Sequence, residues 1–214
     1  MSFLQNIIFM IPAILIGFTF HEYAHAKMAD RLGDKTPRFQ GRLNLNPINH
    51  LDPLGTILIL FCGIGWAKPV QVNPSAFKNY YKDDLKVSIA GPIANLIVAF
   101  FGTVLYFILI LVNREFILGG SLLSVLIIIT KYIIQINITL FVFNLLPLPG
   151  LDGFSILRDL SPKHFYKISD SLYRYQFLIF IAIIFIGGPI IRIPSELILR
   201  LLSNIVGSIF GIIF

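Results

Sequence analysis

Apolar residues occur in this chain in long blocks, which restrict its possible folds more than any other feature of the sequence. Between Ile7 and Phe20, Thr19 is the only residue with a polar side chain. Hydrophobic residues make up 56% of the 214 residues, whereas charged residues make up 13%. Because the hydrocarbon core of a bilayer needs about 20 apolar residues per helix, the blocks predict transmembrane helices rather than the core of a soluble domain.

Five of these blocks are predicted to be transmembrane helices. The predicted spans are residues 3–32, 85–112, 121–146, 177–191 and 193–214. They predict an all-α integral membrane protein with one membrane-embedded domain over residues 1–214. A core of about residues 3–160 carries the sequence motifs, and a C-terminal helical pair occupies about residues 176–214.

Two shorter segments have patterns of their own. Residues 54–67 are apolar but short for a span, and basic residues flank them on both sides. They predict a re-entrant segment that enters and leaves on one face of the membrane. Residues 38–45 alternate weakly between polar and apolar side chains, which predicts a small strand-like hairpin.

The distribution of basic residues predicts the orientation of the chain. Residues 27–86 contain nine Lys and Arg and residues 154–175 contain four, whereas the opposite side has only Arg114, Arg192 and Arg200. The positive-inside rule therefore places both long polar regions in the cytoplasm and the N-terminus outside. The net charge of +6 reflects these loops and not a nucleic-acid partner. The single cysteine, Cys62, excludes an internal disulfide.

A histidine pair follows the first apolar run, in the sequence His21-Glu22-Tyr23-Ala24-His25. Residues four apart on a helix lie on one face, so both histidines could bind one zinc ion. Glu22 is placed to take a proton from a water molecule at that ion. Ionisable groups inside a membrane helix are rare and mostly functional, so a plain buried polar cluster or a transport site is the less favoured interpretation.

Catalytic zinc usually has a third protein ligand, which this motif does not contain. A third histidine six residues after the second is excluded because Arg31 occupies that position, and Glu115 is expected at the far membrane face. His50, His164 and the aspartates remain. Asp152 stands out because it follows a span at the same predicted face as the histidines, where prolines could turn the chain back. A simple turn aspartate is the alternative.

Several motifs together resemble those of a known family. The pentapeptide at residues 21–25, AGPIAN at residues 90–95 and NLLPLPGLDG at residues 144–153 are similar to the site-2 protease family of intramembrane zinc metalloproteases. NPINHLDPLG at residues 46–55 and GWAKPV at residues 65–70 resemble its compact prokaryotic branch without PDZ or CBS domains. The resemblance covers residues 16–160 and keeps the motifs in the family's order.

The resemblance implies a site and an activity. His21, His25 and Asp152 would bind one zinc ion, Glu22 would be the general base, and Asn144 would be a second catalytic residue that orients the substrate or stabilises an oxyanion. The substrate would be a transmembrane protein or peptide in the lipid bilayer, cut in or near its membrane segment. The enzyme would lie in a prokaryotic plasma membrane with its active site near the cytoplasmic face.

Some implications of the sequence stay open. Gly150 and Phe154 stand where family members often have proline and glycine, which is expected to alter the turn but not the ligand. The segments at 38–45 or 54–67 could hold a substrate in extended form by strand addition. A homo-oligomer is compatible with the sequence.

Two other functions compete with proteolysis. A zinc-binding transporter would spread its polar ligands along several spans, and here they converge at one depth. A non-proteolytic scaffold is disfavoured because the set of four catalytic and ligand residues is complete.

Other polar residues in the spans have more than one interpretation. Asn144 could cap a helix, and Asn95 with its neighbouring Gly91-Pro92 is better explained by helix packing than by chemistry. Turn formation and support of the site are equally favoured for His50 and Asp52. The sequence does not decide whether Lys131 and Gln135 face a groove or a partner helix.

Overall fold

The computed structural model describes residues 3–62, 65–115 and 121–211, and these residues form mainly α-helices. In chain order the helices are α1 Phe3–Leu32, α2 Thr36–Phe39, α3 Pro53–Cys62, α4 Tyr80–Glu115, α5 Ser121–Asn144, α6 Asp152–Leu160, α7 Pro162–Arg174, α8 Gln176–Ile186 and α9 Gly188–Ile209. Short 3-10 turns lie at Pro47–Asn49 and Pro74–Ala76. The all-α prediction is confirmed for this part of the chain.

Three helices are long and apolar enough to cross a membrane, namely α1, α4 over Tyr80–Asn113 and α5 over Leu122–Asn144. The predicted count of five spans is not confirmed. With its 11 residues, α8 is only about 16 Å long, which is too short for a hydrocarbon core. Gln176–Ile183 and Gly188–Ile209 qualify only as one bent pair with a 60° angle, which gives at most four spans among the described residues. Residues 212–214 of the last predicted span lie outside the described ranges.

The long helices pack against one another through small and apolar side chains. Ala99 of α4, Ile134 and Ile138 of α5 and Leu202 of α9 form a buried cluster. A Cβ atom on Gly17 of α1 would lie 2.8 Å from Leu140 Cδ1, so glycine permits the close approach of α1 and α5.

Lys131 contacts a neighbouring helix of the same bundle. Its Nζ lies 5.5 Å from the ring centroid of Tyr106 on α4, a cation–π arrangement. Lys131 therefore has an aromatic partner within the bundle, while Gln135, one turn further on, is exposed.

The segment predicted to be re-entrant doubles back on itself. A Cβ atom on Gly55, near the start of α3, would lie 2.1 Å from the carbonyl oxygen of Trp66. Leu51 and Ala67 form an isolated antiparallel bridge. The two ends of the segment therefore meet, and its re-entry into a membrane stays a prediction; its residues 63–64 are outside the described ranges.

The strand-like hairpin predicted for residues 38–45 is not found. Thr36–Phe39 is a short helix with proline in its first turn, where the fixed φ of proline favours helix. The chain then turns at Gly41, whose φ of 67° is accessible to glycine at little cost. Within this described segment, the conformational preferences of Pro37 and Gly41 therefore outweigh the weak alternation of polar and apolar side chains.

The second polar region folds into two helices that pack together. Phe154 of α6 lies with its ring centroid 4.7 Å from that of Phe165 and 5.1 Å from that of Tyr173, both on α7. Phe154 is thus a buried anchor between α6 and α7, which gives the unusual residue at this position a structural role. Asp152 is the first residue of α6, so this packing also helps to place its carboxylate.

Candidate metal centre

Three side chains from two distant parts of the chain converge at one point. His21 and His25 lie one turn apart on α1, and their Nε2 atoms are 3.0 Å apart. Asp152 approaches from α6, with Oδ2 3.2 Å from His21 Nε2 and Oδ1 3.3 Å from His25 Nε2. The structure therefore brings together the three residues for which the sequence predicts zinc binding.

The hydrogen bonds on the far side of each ring determine which nitrogens face this point. His25 Nδ1 lies 2.7 Å from the carbonyl oxygen of Val87, which can only accept, so His25 donates from Nδ1. His21 Nδ1 lies 2.7 Å from Asn95 Oδ1. Asn95 Nδ2 donates to the Gly17 carbonyl, so Oδ1 is the acceptor for His21. In the neutral rings both Nε2 atoms are then free to act as ligands.

The resulting arrangement could hold a metal ion. Two Nε2 lone pairs and a carboxylate face one another, and Asp152 Oδ2 is buried without a hydrogen-bond partner. A proton can join two such atoms, whereas a metal ion can be shared by all three. Ligands about 2.0–2.1 Å from a tetrahedral zinc ion lie roughly 3.3 Å from one another, close to the distances seen here. Imidazole nitrogen and carboxylate oxygen are ligands of zinc, so the residues fit that ion.

Helix α4 contacts both histidines of this centre. Val87 and Asn95 hold the two histidine rings, and Gly91 lies between them in sequence, so the three positions follow one helix face. A Cβ atom on Gly91 would lie 2.2 Å from His25 Nε2 and 2.7 Å from His21 Cε1. Glycine thus leaves open the space beside the proposed ligand nitrogens that any side chain would fill.

Part of this support was not predicted from the sequence. The sequence favours packing for Asn95, but the structure shows a fully buried side chain bonded to a proposed ligand. The spacing of Gly91 and Asn95, one helical turn apart in a span, was the available signal. The contribution of Val87 is a backbone carbonyl, for which the side-chain sequence contains no signal.

Glu22 lies next to the proposed ligands and is held by the backbone of a distant loop. Its Oε2 accepts a hydrogen bond of 2.8 Å from the Val70 amide. Glu22 also lines a cavity of about 250 Å³ that the three proposed ligands share. A carboxylate fixed in this way is suitably placed to exchange a proton with a molecule in the cavity.

Asn144 lines the same cavity at the end of α5. Its Nδ2 donates to the Leu140 carbonyl at 3.0 Å, a bond within its own helix. The geometry is compatible with both the helix-end and the catalytic interpretation, and its catalytic role stays a prediction.

The remaining histidine candidates lie in other environments. The buried His50 contacts the Asn44 carbonyl through Nε2 at 2.7 Å, and Asp52 Oδ1 accepts from the Gly55 amide at 2.8 Å. The first contact lies in the loop before α3, and the second joins that loop to the first turn of α3. His164 is exposed on α7 and pairs with Ser161.

Comparisons with known proteins show the family to which the chain belongs. The model of peptidase family M50 matches residues 115–188, a range that includes Asp152. "Putative zinc metalloprotease YwhC" of Bacillus subtilis (strain 168) is 41% identical over 207 residues, which cover 92% of each chain. "Putative zinc metalloprotease Rip2" of Mycolicibacterium smegmatis is 30% identical over 169 residues, or 76% of this chain and 61% of that protein. No solved structure matches the chain. The chain therefore belongs to peptidase family M50, the site-2 protease family.

Proposed function

We propose that this protein is an intramembrane zinc metalloprotease that hydrolyses peptide bonds in or near the transmembrane segments of membrane proteins. The observation that carries the proposal is the convergence of His21, His25 and Asp152 on one point, with Glu22 in the same cavity. The names of both relatives contain the words "zinc metalloprotease", which supports the same chemistry. One zinc ion per chain is sufficient for this site.

The chain's own residues divide the chemistry among them. When bound by His21, His25 and Asp152, zinc supplies Lewis acidity that polarises the scissile carbonyl and makes water more acidic. Glu22 accepts the proton of the attacking water and returns it to the nitrogen of the leaving amine. The Val70 amide holds one oxygen of Glu22 and so orients the carboxylate for both transfers. Asn144, at the edge of the cavity, orients the substrate.

The substrate must be unwound before it can react, because a peptide bond within a helix is shielded and already hydrogen-bonded. Pro69, Val70 and Val72 belong to an irregular segment that lines the cavity. Since residues 38–45 are not a strand, this segment is the better candidate to hold a substrate in extended form by backbone pairing.

The position of the site supports a cytoplasmic location. The histidines lie in the second half of α1, and Asp152 follows the end of α5, so the site lies at the same end of both helices as the basic loops. The positive-inside rule places that end in the cytoplasm of a prokaryotic cell, with the N-terminus outside. Water then reaches the cavity from the cytoplasmic side, and the bilayer supplies the substrate.

The decisive experiment measures cleavage of a single-span membrane protein by the purified protein in detergent. Wild type with zinc should cleave it, and Glu22→Gln should be slower by about 10²–10⁴-fold while it still binds zinc. Glu196→Gln on α9 is a matched control, because it makes the same chemical change at an exposed glutamate paired with Arg192. Equal cleavage by wild type and Glu22→Gln would contradict the role of Glu22.

The alternative of a zinc transporter is tested in the same preparation. Wild type in liposomes should show no zinc flux above protein-free liposomes, since the described ligands lie at one end of the helices and not along a path. Zinc flux without any proteolysis would favour the transporter.

A further inference from the structure

A chain of polar side chains runs through the interior of the helix bundle and ends at the metal centre. It begins with Asn137 on α5, continues with Asn95 on α4 and ends with His21 on α1. The Asn95 Nδ2 to Asn137 Oδ1 distance is 2.9 Å, and the His21 Nδ1 to Asn95 Oδ1 distance is 2.7 Å. Both asparagines are 0% exposed. Their side-chain amides therefore form hydrogen bonds with each other and with backbone carbonyls in place of water.

Two backbone carbonyls determine the direction of every hydrogen bond in this chain. Asn137 Nδ2 donates to the Ile133 carbonyl at 2.8 Å, so its Oδ1 is the atom that accepts from Asn95. Asn95 Nδ2 also donates to the Gly17 carbonyl at 3.0 Å, so both of its hydrogens are used and its Oδ1 faces His21. His21 must then donate from Nδ1, which leaves the Nε2 lone pair available to a metal ion.

We propose that Asn95, held in place by Asn137, is a positioning residue that keeps His21 in the Nδ1-protonated form and thereby sets its affinity for the metal. The inference rests on the proposed function in one respect, namely that His21 binds zinc. The equivalent bond of His25 goes to the Val87 backbone carbonyl, which no side-chain substitution removes. Replacement of Asn95 therefore tests whether a side-chain hydrogen bond orients His21.

A packing role and a positioning role for Asn95 predict opposite rankings of two variants, Asn95→Leu and Asn95→Asp. Asp and Leu both keep the branched shape of Asn, but only Asp keeps an oxygen that accepts from His21. If Asn95 serves packing, Asn95→Leu should be tolerated better, because Asn95→Asp buries a charge. If Asn95 orients His21, Asn95→Asp should keep zinc better, since a carboxylate behind a zinc-bound histidine is an effective partner.

The experiment measures the zinc dissociation constant of purified protein in detergent by competition with a chromophoric chelator. Asn95→Leu should weaken zinc binding by about 10–100-fold, and Asn95→Asp should lie between that variant and wild type. Thr103→Val is the matched control: it removes another buried polar group of α4, which bonds to the Ala99 carbonyl of the same helix, and should leave zinc affinity unchanged. Asn95→Leu binding zinc as tightly as wild type, or more tightly than Asn95→Asp, would overturn the inference.

A second readout is made on the wild-type protein and needs no variant of Asn95. Nitrogen-15 spectra of histidine-labelled wild type at alkaline pH, with His21 assigned by its loss in His21→Gln, should show a proton on Nδ1. A proton on Nε2 of His21 would refute the positioning role outright. Failure of wild type to bind zinc would instead refute the proposed function, and the spectra would still decide the form of His21.

Discussion

Gly91 faces both histidine rings, and its lack of a side chain leaves space beside the proposed ligand nitrogens. An added Cβ would lie 2.2 Å from His25 Nε2, well inside van der Waals contact. Overpacking of this kind costs about 1–3 kcal/mol, so we expect Gly91→Ala to weaken zinc binding by about 5- to 160-fold. The zinc content after dialysis against a chelator measures this loss.

Gly102→Ala is the control for this substitution on the same helix. Its Cβ would meet the flexible side-chain atom Ile134 Cγ1 at 3.1 Å, far from the site, and should leave zinc binding intact. If Gly91→Ala keeps zinc as firmly as Gly102→Ala does, the space beside Gly91 does not belong to the metal site.

At the residue scale, a site residue could be predicted from the sequence when the residue that it contacts lies nearby in the chain. The histidine pair could be predicted because a four-residue spacing on a helix is itself a geometry. Asp152 was reached by exclusion and by resemblance. Asn95 was assigned to packing because its partner, His21, lies 74 residues away in the sequence.

Helix α6 is tied to α4 by a cluster around Arg158. Arg158 bonds through Nη2 to Asp84 of α4 and through Nε to its own neighbour Asp159 at 2.7 Å. Burial lowers the pKa of Arg158, but the hydrogen bond and charge of Asp159 and the charge of Asp84 outweigh it, so the guanidinium stays charged. Because Asp152 begins the same helix, this cluster helps to hold a proposed ligand against α4.

Replacement of Arg158 by methionine should leave two largely buried carboxylates without their common partner. Breaking a buried ion pair in this way costs about 3–5 kcal/mol, so Arg158→Met should lower the thermal unfolding temperature and Arg158→Lys should lower it less. Arg174→Met, at an exposed position in the last turn of α7, provides the comparison. Equal unfolding temperatures for Arg158→Met and Arg174→Met would show that the cluster does not hold α6.

The irregular segment over Glu22 depends on another arginine. Arg42 is 5% exposed and donates to the carbonyls of Asn49, Lys68 and Pro69, the last at 2.9 Å. The next residue, Val70, donates its amide to Glu22. Arg42 therefore joins the loop before α3 to the backbone that orients the proposed general base.

Arg42→Met should slow turnover without loss of zinc, because the segment that carries Val70 loses its support while the ligands keep theirs. A hydrogen bond to a charged group contributes about 1.5–3 kcal/mol, which corresponds to roughly 10- to 160-fold in kcat. Gln40→Ala removes an exposed contact to Gln71 in the same region and should have little effect. Loss of zinc from Arg42→Met would contradict this separation of roles.

At the element scale, the long helices were predictable and the short elements were not. Residues 38–45 alternate too weakly to override Pro37 and Gly41, which favour a helical turn and a positive φ. The last two predicted spans are not confirmed as separate spans, because α8 ends at Ile186 and α9 begins at Gly188, before the predicted boundary near residue 192. Hydropathy locates apolar residues but does not show where a helix ends inside an apolar block.

For the whole molecule, the testable quantity is the side of the membrane on which each loop lies. Phe39 in the first polar region is 85% exposed. Asn113 lies near the C-terminal end of α4, the end far from that polar region. In a background without Cys62, a membrane-impermeant thiol reagent added to intact cells should label Asn113→Cys. It should label Phe39→Cys only after the membrane is opened. The reverse pattern would place the site on the outer face.

The sequence by itself determined that this chain enters a membrane and that a histidine pair with an adjacent glutamate lies on one of its helices. Both conclusions follow from short-range patterns, since hydrophobic blocks and i, i+4 spacing act within a single helix. Only the tertiary structure decided which atoms complete the site: the Val87 carbonyl 62 residues from His25, the Val70 amide 48 residues from Glu22 and the Asn95 amide behind His21. The reason is physical, because these contacts depend on how separate helices pack and in what register. Two of them use backbone groups: a carbonyl, which every residue possesses, and an amide N–H, which every residue except proline possesses.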